Sequence, residues 1–143
     1  MLKGIPSILS PELLKVLMEM GHGDEIVLGD GNFPSASCAQ RLIRADGHNV
    51  PELLDAILAL FPLDSFVEQP VTLMAVVPGS EITRPPIWDC FETIIHTHEP
   101  VHNGIAQVER FAFYEQAKAA YAIVATGESA LYANIILKKG IVV

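Results

Sequence analysis

Cysteine is scarce in this chain, with two in 143 residues, and no C-x-x-C pair occurs. That excludes a dense disulfide framework and a structural zinc site of the usual spacing, so Cys38 and Cys90 are expected as free, packed thiols. Charge is thin as well. Only 18% of residues are charged, and nine Lys and Arg stand against 17 Asp and Glu, for a formal net charge of -8. The basic residues are scattered, which offers no positive stripe to a phosphate backbone or an anionic lipid surface, and neither nucleic acid nor membrane partners are expected. No run approaches the ~20 apolar residues that span a bilayer, and no basic segment leads into a long apolar stretch at the N-terminus. A reducing cytoplasm is the expected compartment. Internal repeats, low-complexity tracts and flexible linkers are missing too. His96, His98 and His102 are the nearest thing to a metal cluster, but an i, i+2 pair leaves a helix in different directions and no acid stands at helical spacing, so no metal is expected.

What the chain has in quantity is apolar surface. Half of its residues are hydrophobic, which excludes disorder and is rich even for a globular protein. A single domain over residues 1–143 with a real core is expected. The surplus points to burial between subunits, hence a homo-oligomer.

The element order reads as α/β. Ser10-Pro11-Glu12 supplies a helix cap, a proline at the first helical position and a first-turn acid, and Leu13, Leu14, Leu17 and Met18 continue at helical spacing up to Gly21. Glu25 to Leu28 predicts a short strand that runs into the turn Gly29-Asp30-Gly31-Asn32. Asn49 and Glu52 form a capping box for a helix through Leu60, stopped by Pro62. Val71 to Val77 predicts a buried strand and Pro78 to Pro86 a surface loop. Ile87 to His98 predicts a helix with Ile87, Cys90, Phe91, Ile94 and Ile95 on one face and Trp88 at its edge. Phe111 to Ala120 reads as helix, and Tyr121 to Ala125 and Ile135 to Leu137 as strands. Alternating helices and strands predict a layered α/β domain.

The segment Met20-Gly21-His22-Gly23-Asp24-Glu25 carries the most chemistry. A glycine on each side lets the backbone turn sharply and removes neighbouring Cβ atoms from around the imidazole. An imidazole, with an unperturbed pKa of about 6.5, both gives and takes a proton near neutrality. Asp24, Glu25 and Asp30 stand close enough in sequence to orient the ring or hold a polar ligand. A plainer reading is equally open on the residues alone: Gly21 as a helix C-cap, with His22 an ordinary loop residue.

Further segments add to this one: Ser10-Pro-Glu-Leu-Leu14, Ile43-Arg-Ala-Asp-Gly47, Arg110-Phe-x-Phe-Tyr114, Thr126-Gly-Glu128, Tyr132-x-Asn134 and Lys138-Lys-Gly140. Together they resemble the fucose mutarotase and ribose pyranase family, on the fucose side, over nearly the whole chain and in matching order. Gly79 to Gln107 is the stretch that matches least.

The resemblance implies a single three-layer α/β/α domain around a mixed sheet, assembled as a ring, commonly a decamer, with pockets near subunit contacts. It implies a cofactor-free isomerase acting on a free monosaccharide. A base takes the proton of the anomeric hydroxyl, an acid protonates the ring oxygen, the hemiacetal opens, and closure onto the other face gives the other anomer. The histidine corresponding to His22 holds the acid/base role in the family. Asp30, Arg110 and the segment Tyr132, Ala133 and Asn134 match its sugar-binding groups. Arginine at position 110 favours L-fucose over D-ribose, since the ribose branch tends to carry histidine there. Taken alone, Asp30 also reads as an Asx-turn residue, Arg110 as the partner of Glu109 in a surface ion pair, and Tyr132 as half core. Ribose pyranase activity and a non-catalytic sugar-binding module of an uptake system are the competing readings, and the second proton-transfer group stays open among Tyr132, a carboxylate and water.

Overall fold

A computed structural model describes residues 1–102 and 104–143. Helix α1, Pro11–Glu19, starts as the sequence dictates: the Ser10 hydroxyl accepts from the Leu13 N–H at 3.1 Å, and Leu13, Val16 and Leu17 are buried. Its end differs from expectation. Met20 leaves the helix in an extended conformation, and the positive φ, 87°, belongs to Gly23 instead of Gly21. Strand β1, Glu25–Gly29, follows.

A short helix α2, Ser35–Cys38, and strand β2, Leu42–Ala45, come next, both too brief to show a period in the sequence. Helix α3, Val50–Leu58, carries the expected capping box, with Glu52 N–H to Asn49 Oδ1 at 2.9 Å and Asn49 N–H to Glu52 Oε1 at 2.8 Å. It ends two residues before Leu60. Strand β3, Val71–Met74, stops short of Val77, because its neighbour β4, Ala106–Val108, runs out and the chain turns away after the Ala75 N–H meets the Val108 carbonyl.

Helix α4 spans Ile87–His98 as expected, but its inward face is Trp88, Phe91 and Ile95. Cys90 is exposed, which corrects the reading of it as a packed thiol, while Cys38 is buried. Trp88 sits in the core, not at the edge. Helix α5, Arg110–Ala119, is capped by Glu109, whose carboxylate accepts from the Phe111 and Ala112 N–H groups. Strands β5, Ala122–Thr126, and β6, Ile135–Lys138, complete the elements.

The sheet order is β2-β5-β1-β6-β3-β4. β2, β5 and β1 pair in parallel, as do β3 and β4, and β6 runs antiparallel between β1 and β3. Side chains alternate across the sheet. Ile26, Leu28, Val124, Ile135 and Leu137 meet α1, α3 and α4 on one face, and Val27, Ile123 and Ile136 meet α2 and α5 on the other. This is the expected α/β/α layering on a mixed sheet. Every residue of β5 is buried, as a strand covered on both faces requires. The carboxyl ends of β1, β5 and β3 therefore meet the start of β6 along one edge, where open α/β sheets present their ligand crevice.

Candidate functional site: an open hollow and a histidine elbow

Asp30 leaves the end of β1 after a glycine that has no room for a side chain. A Cβ on Gly29 would lie 2.9 Å from both the Phe33 ring and the Ser35 hydroxyl, so the loop can fold back only over glycine. Asp30 is buried, and it forms a reciprocal pair with Asn134 at the start of β6: its N–H donates to Asn134 Oδ1 at 2.8 Å, and Asn134 Nδ2 donates to its Oδ2 at 3.2 Å. Its Oδ1 accepts from the Asn32 N–H at 2.9 Å, so the Asx-turn reading holds alongside the pairing. Burial pushes the Asp30 carboxyl above the ordinary carboxylate range, against the opposing pull of the Asn32, Phe33 and Ala133 N–H groups and Asn134.

Tyr132 has φ of 57°, and among the described residues no other non-glycine residue has positive φ. Two contacts hold it there. The Trp88 indole N–H donates to its carbonyl at 2.9 Å, and the Val77 N–H donates to its Oη at 3.3 Å, which leaves the phenol's own proton free to donate. Ala133 is fully buried, its contribution being its backbone N–H toward Asp30. Asp30, Asn32, Tyr114, Tyr132 and Asn134 line an open hollow of about 220 Å³ whose exposed surface, with Phe33, Met74 and Leu131, is mostly apolar. Aromatic edges stiffen that lining: Tyr114 meets Phe33 at 5.6 Å and Phe111 at 6.3 Å, ring centre to ring centre.

Arg110 opens α5 on the same side of the sheet and lines an adjoining cleft of about 340 Å³ with Ala75 to Pro78, Glu109 and Phe111. Its guanidinium lies 4.7 Å from the Phe111 ring centre. The ion pair with Glu109 suggested by sequence does not form among the described residues, since Glu109 is spent on capping α5.

His22 lies elsewhere. It precedes β1 whereas Asp30 follows it, and five residues of extended chain, at about 3.3 Å each, put roughly 16 Å between the two ends of that strand. Within one chain the imidazole and the hollow beside Asp30 are therefore at opposite ends of β1. Two hydrogen bonds tie the elbow down: Asp24 Oδ2 accepts from the Gly21 N–H at 2.7 Å, and the Gly23 N–H donates to the Lys139 carbonyl. Asp24 thus holds the backbone and not the ring, and Glu25 accepts from Gln116 Nε2. The ring's partner is a residue that sequence reasoning missed, Asp64, whose Oδ1 lies 3.1 Å from His22 Nε2. Asp64 is 4% exposed, against 45% for the His22 side chain. Desolvation raises the Asp64 carboxyl, but the Phe66 N–H and the His22 ring outweigh it and hold it below the ordinary range. Forty-two positions separate Asp64 from His22, and Asp64-Ser65-Phe66 reads as nothing more than an Asx turn.

The remaining histidines have other partners. His98 Nε2 pairs with Asp55 at 2.7 Å, and the His96 ring meets that of His102 edge-on at 6.4 Å. Among the described residues no group of three His, Cys, Asp or Glu side chains is placed to hold a metal, and no helix is long and apolar enough to cross a membrane.

The chain is similar to proteins of known structure and activity along its whole length. It is 52% identical to the fucose mutarotase of Homo sapiens over 98% of this chain and 94% of that protein. The crystal structure of a fucose mutarotase in complex with L-fucose from Streptococcus pneumoniae is 60% identical and superposes with a TM-score of 0.94, covering 99% of this chain and all of that one. The structure of Bacillus subtilis RbsD complexed with D-ribose shares the fold at a TM-score of 0.73 and 22% identity, with both chains fully covered. Residues 3–142 match the pattern of a single family, and the chain belongs to it: the RbsD / FucU transport protein family.

Proposed function

We propose that this protein is a cytoplasmic mutarotase that interconverts the α and β anomers of L-fucose, with residues 1–143 acting as one domain and no cofactor. The observation that carries the reading is the Asp30–Asn134 pair at the wall of a monosaccharide-sized cavity, in a chain so similar to a protein crystallised with L-fucose. A buried carboxylate accepts from sugar hydroxyls, an amide both gives and accepts, and Tyr132 adds a phenol and an apolar face. Arg110 donates from the adjoining cleft, and arginine at this place favours L-fucose over D-ribose.

His22 supplies the proton transfer. It takes the proton of the anomeric hydroxyl as the ring bond to the ring oxygen breaks, and returns it after the carbonyl end has rotated. The ring oxygen takes its proton from the free Tyr132 hydroxyl or from solvent water. Because His22 and the cavity sit at opposite ends of β1, the His22 that serves a cavity belongs to a neighbouring copy, so the working form is a homo-oligomer; the family resemblance implies a ring, commonly a decamer. The exposed apolar residues Met1, Leu2, Met18, Phe66, Val142 and Val143 support association.

Saturation-transfer NMR across a panel of free sugars tests the reading. L-fucose anomer exchange is expected to be accelerated most. Faster exchange of D-ribose would make this a ribose pyranase, and binding with no acceleration would make it a non-catalytic sugar-binding module.

A further inference from the structure

Glu128 is a buried carboxylate that neither the proton transfer nor the lining of the hollow uses. Among the described residues no cation pairs with it, and its two oxygens each accept from a backbone N–H. Oε1 accepts from Ala130 at 2.9 Å, and Oε2 accepts at 3.2 Å from Val50, the first residue of α3. The positive end of the helix dipole therefore meets the carboxylate, which offsets the cost of burying it without a counter-ion.

The main chain of the same residue reaches the Asp30 turn. Its carbonyl accepts from the Gly31 N–H at 2.8 Å, an approach so close that a Cβ on Gly31 would fall 3.1 Å from that oxygen. Its N–H donates to Thr126 Oγ1 at 3.2 Å, and the Thr126 hydroxyl donates to the Gly29 carbonyl at 2.7 Å. Asp30 is thus clasped on both flanks by bonds that run to residue 128. On the other side, Ala130 lies two residues before Tyr132, whose positive φ of 57° has to be imposed by its surroundings, so the Ala130 bond fixes where the chain enters that bend. One residue joins the Asp30 turn, the loop carrying Tyr132 and Asn134, and the start of α3.

We infer that Glu128 is a positioning residue: its carboxylate anchors the loop carrying Tyr132 and Asn134 to α3, and its backbone holds that loop against the Asp30 turn, which keeps the two halves of the sugar-binding wall at a fixed spacing. What the spacing serves rests on the mutarotase reading. The acid/base group, His22, stands at the far end of β1 and has no part in the clasp. Loss of the anchor therefore weakens ground-state and transition-state binding alike and leaves the proton transfer as it was.

The test compares Glu128→Gln with Asn49→Ala in the full-length protein. An amide turns one of the two acceptors into a donor, so the bond to Val50 or to Ala130 is lost, whereas Asn49→Ala strips the same helix start of its capping box and touches neither loop. Glu128→Gln is expected to raise KM for L-fucose exchange, and Kd for L-fucose by calorimetry, about 10-fold with kcat within about two-fold, and Asn49→Ala to leave all three within about two-fold. Single-amide hydrogen exchange without sugar is expected to quicken at Gly31 by about five-fold or more in Glu128→Gln while the amides of α1 keep their rates. Unchanged KM and Kd, an equal rise in Asn49→Ala, or exchange quickened evenly along the chain would each overturn the inference. Should Glu128→Gln not fold, the parent protein decides: saturating L-fucose is expected to slow exchange at the Ala130 amide, which lines no part of the hollow, and an unaffected amide would overturn the inference. A parent protein that neither bound nor exchanged any sugar would instead remove the mutarotase reading, and the Gly31 exchange rate would still decide whether Glu128 holds the two loops together.

Discussion

The two glycines around His22 meet different requirements. Gly23 has φ of 87°, and a Cβ placed on it would meet nothing within 4 Å, so its requirement is purely conformational, whereas Gly21 has no positive φ and holds its place through the Asp24 carboxylate. Gly23→Ala is expected to cost about 1–2 kcal/mol in chemical denaturation and to slow anomer exchange, while Gly21→Ala stays within about 0.5 kcal/mol of the parent. Equal losses at both positions would contradict this assignment. Asp30 and Asp64 have opposite pH signatures. Asp64 titrates below its unfolded value of about 3.8, so its stabilisation is present above that pH and fades as pH falls through its lowered native value. Asp30 titrates above that value, so its contribution is complete at lower pH and is lost as pH rises through its raised native value. Calorimetric melting across the acid range is expected to show the gap between parent and Asp64→Asn closing as pH falls; a gap constant with pH would exclude the assignment. The His22 elbow is readable from sequence because glycine and imidazole chemistry are local. The Asp64 partner is not, since it reaches His22 only through the packing of two strand ends.

Elements with strong caps or long periods are legible in the sequence, and short ones are not. Ser10-Pro11 and the Asn49/Glu52 box mark helix starts by direct side-chain to backbone bonds, and α4 spans the residues its spacing predicts. α2, β2 and β4, of three or four residues each, exist through sheet pairing and packing and leave too little pattern to read. The inward face of α4 departs from expectation at Cys90 and Trp88 because helical spacing fixes which residues share a face, and not where the core begins. That matters for the site, since Trp88 holds the Tyr132 carbonyl while its ring fills the core. Trp88→Phe removes the donor and part of the ring and is expected to cost about 1–3 kcal/mol, to raise KM for L-fucose and to leave kcat within about two-fold. Melting and exchange kinetics check it. A fall in kcat with KM unchanged would mean that Trp88 does not act through sugar placement.

At the scale of the whole molecule, the family motifs read in order along the chain describe the layers of the fold and the residues of the cavity, but not how far apart two of them lie. His22 and Asp30 are eight positions apart in sequence and bracket one strand, so proximity along the chain becomes distance in space. A site shared between copies predicts complementation. His22→Ala and Asn134→Ala proteins, each inactive alone, are expected to regain about one quarter of parental activity when co-assembled in equal amounts, because random mixing restores both groups at that fraction of sites. No recovery in verified mixed assemblies would place both groups in one chain's site. The most direct test of the acid/base assignment is L-fucose anomer exchange by saturation-transfer NMR, parent against His22→Ala, at equal oligomer concentration. The imidazole account predicts that the variant keeps its fold and loses about 10²- to 10⁴-fold in exchange rate; a folded variant that exchanges anomers as fast as its parent would contradict it.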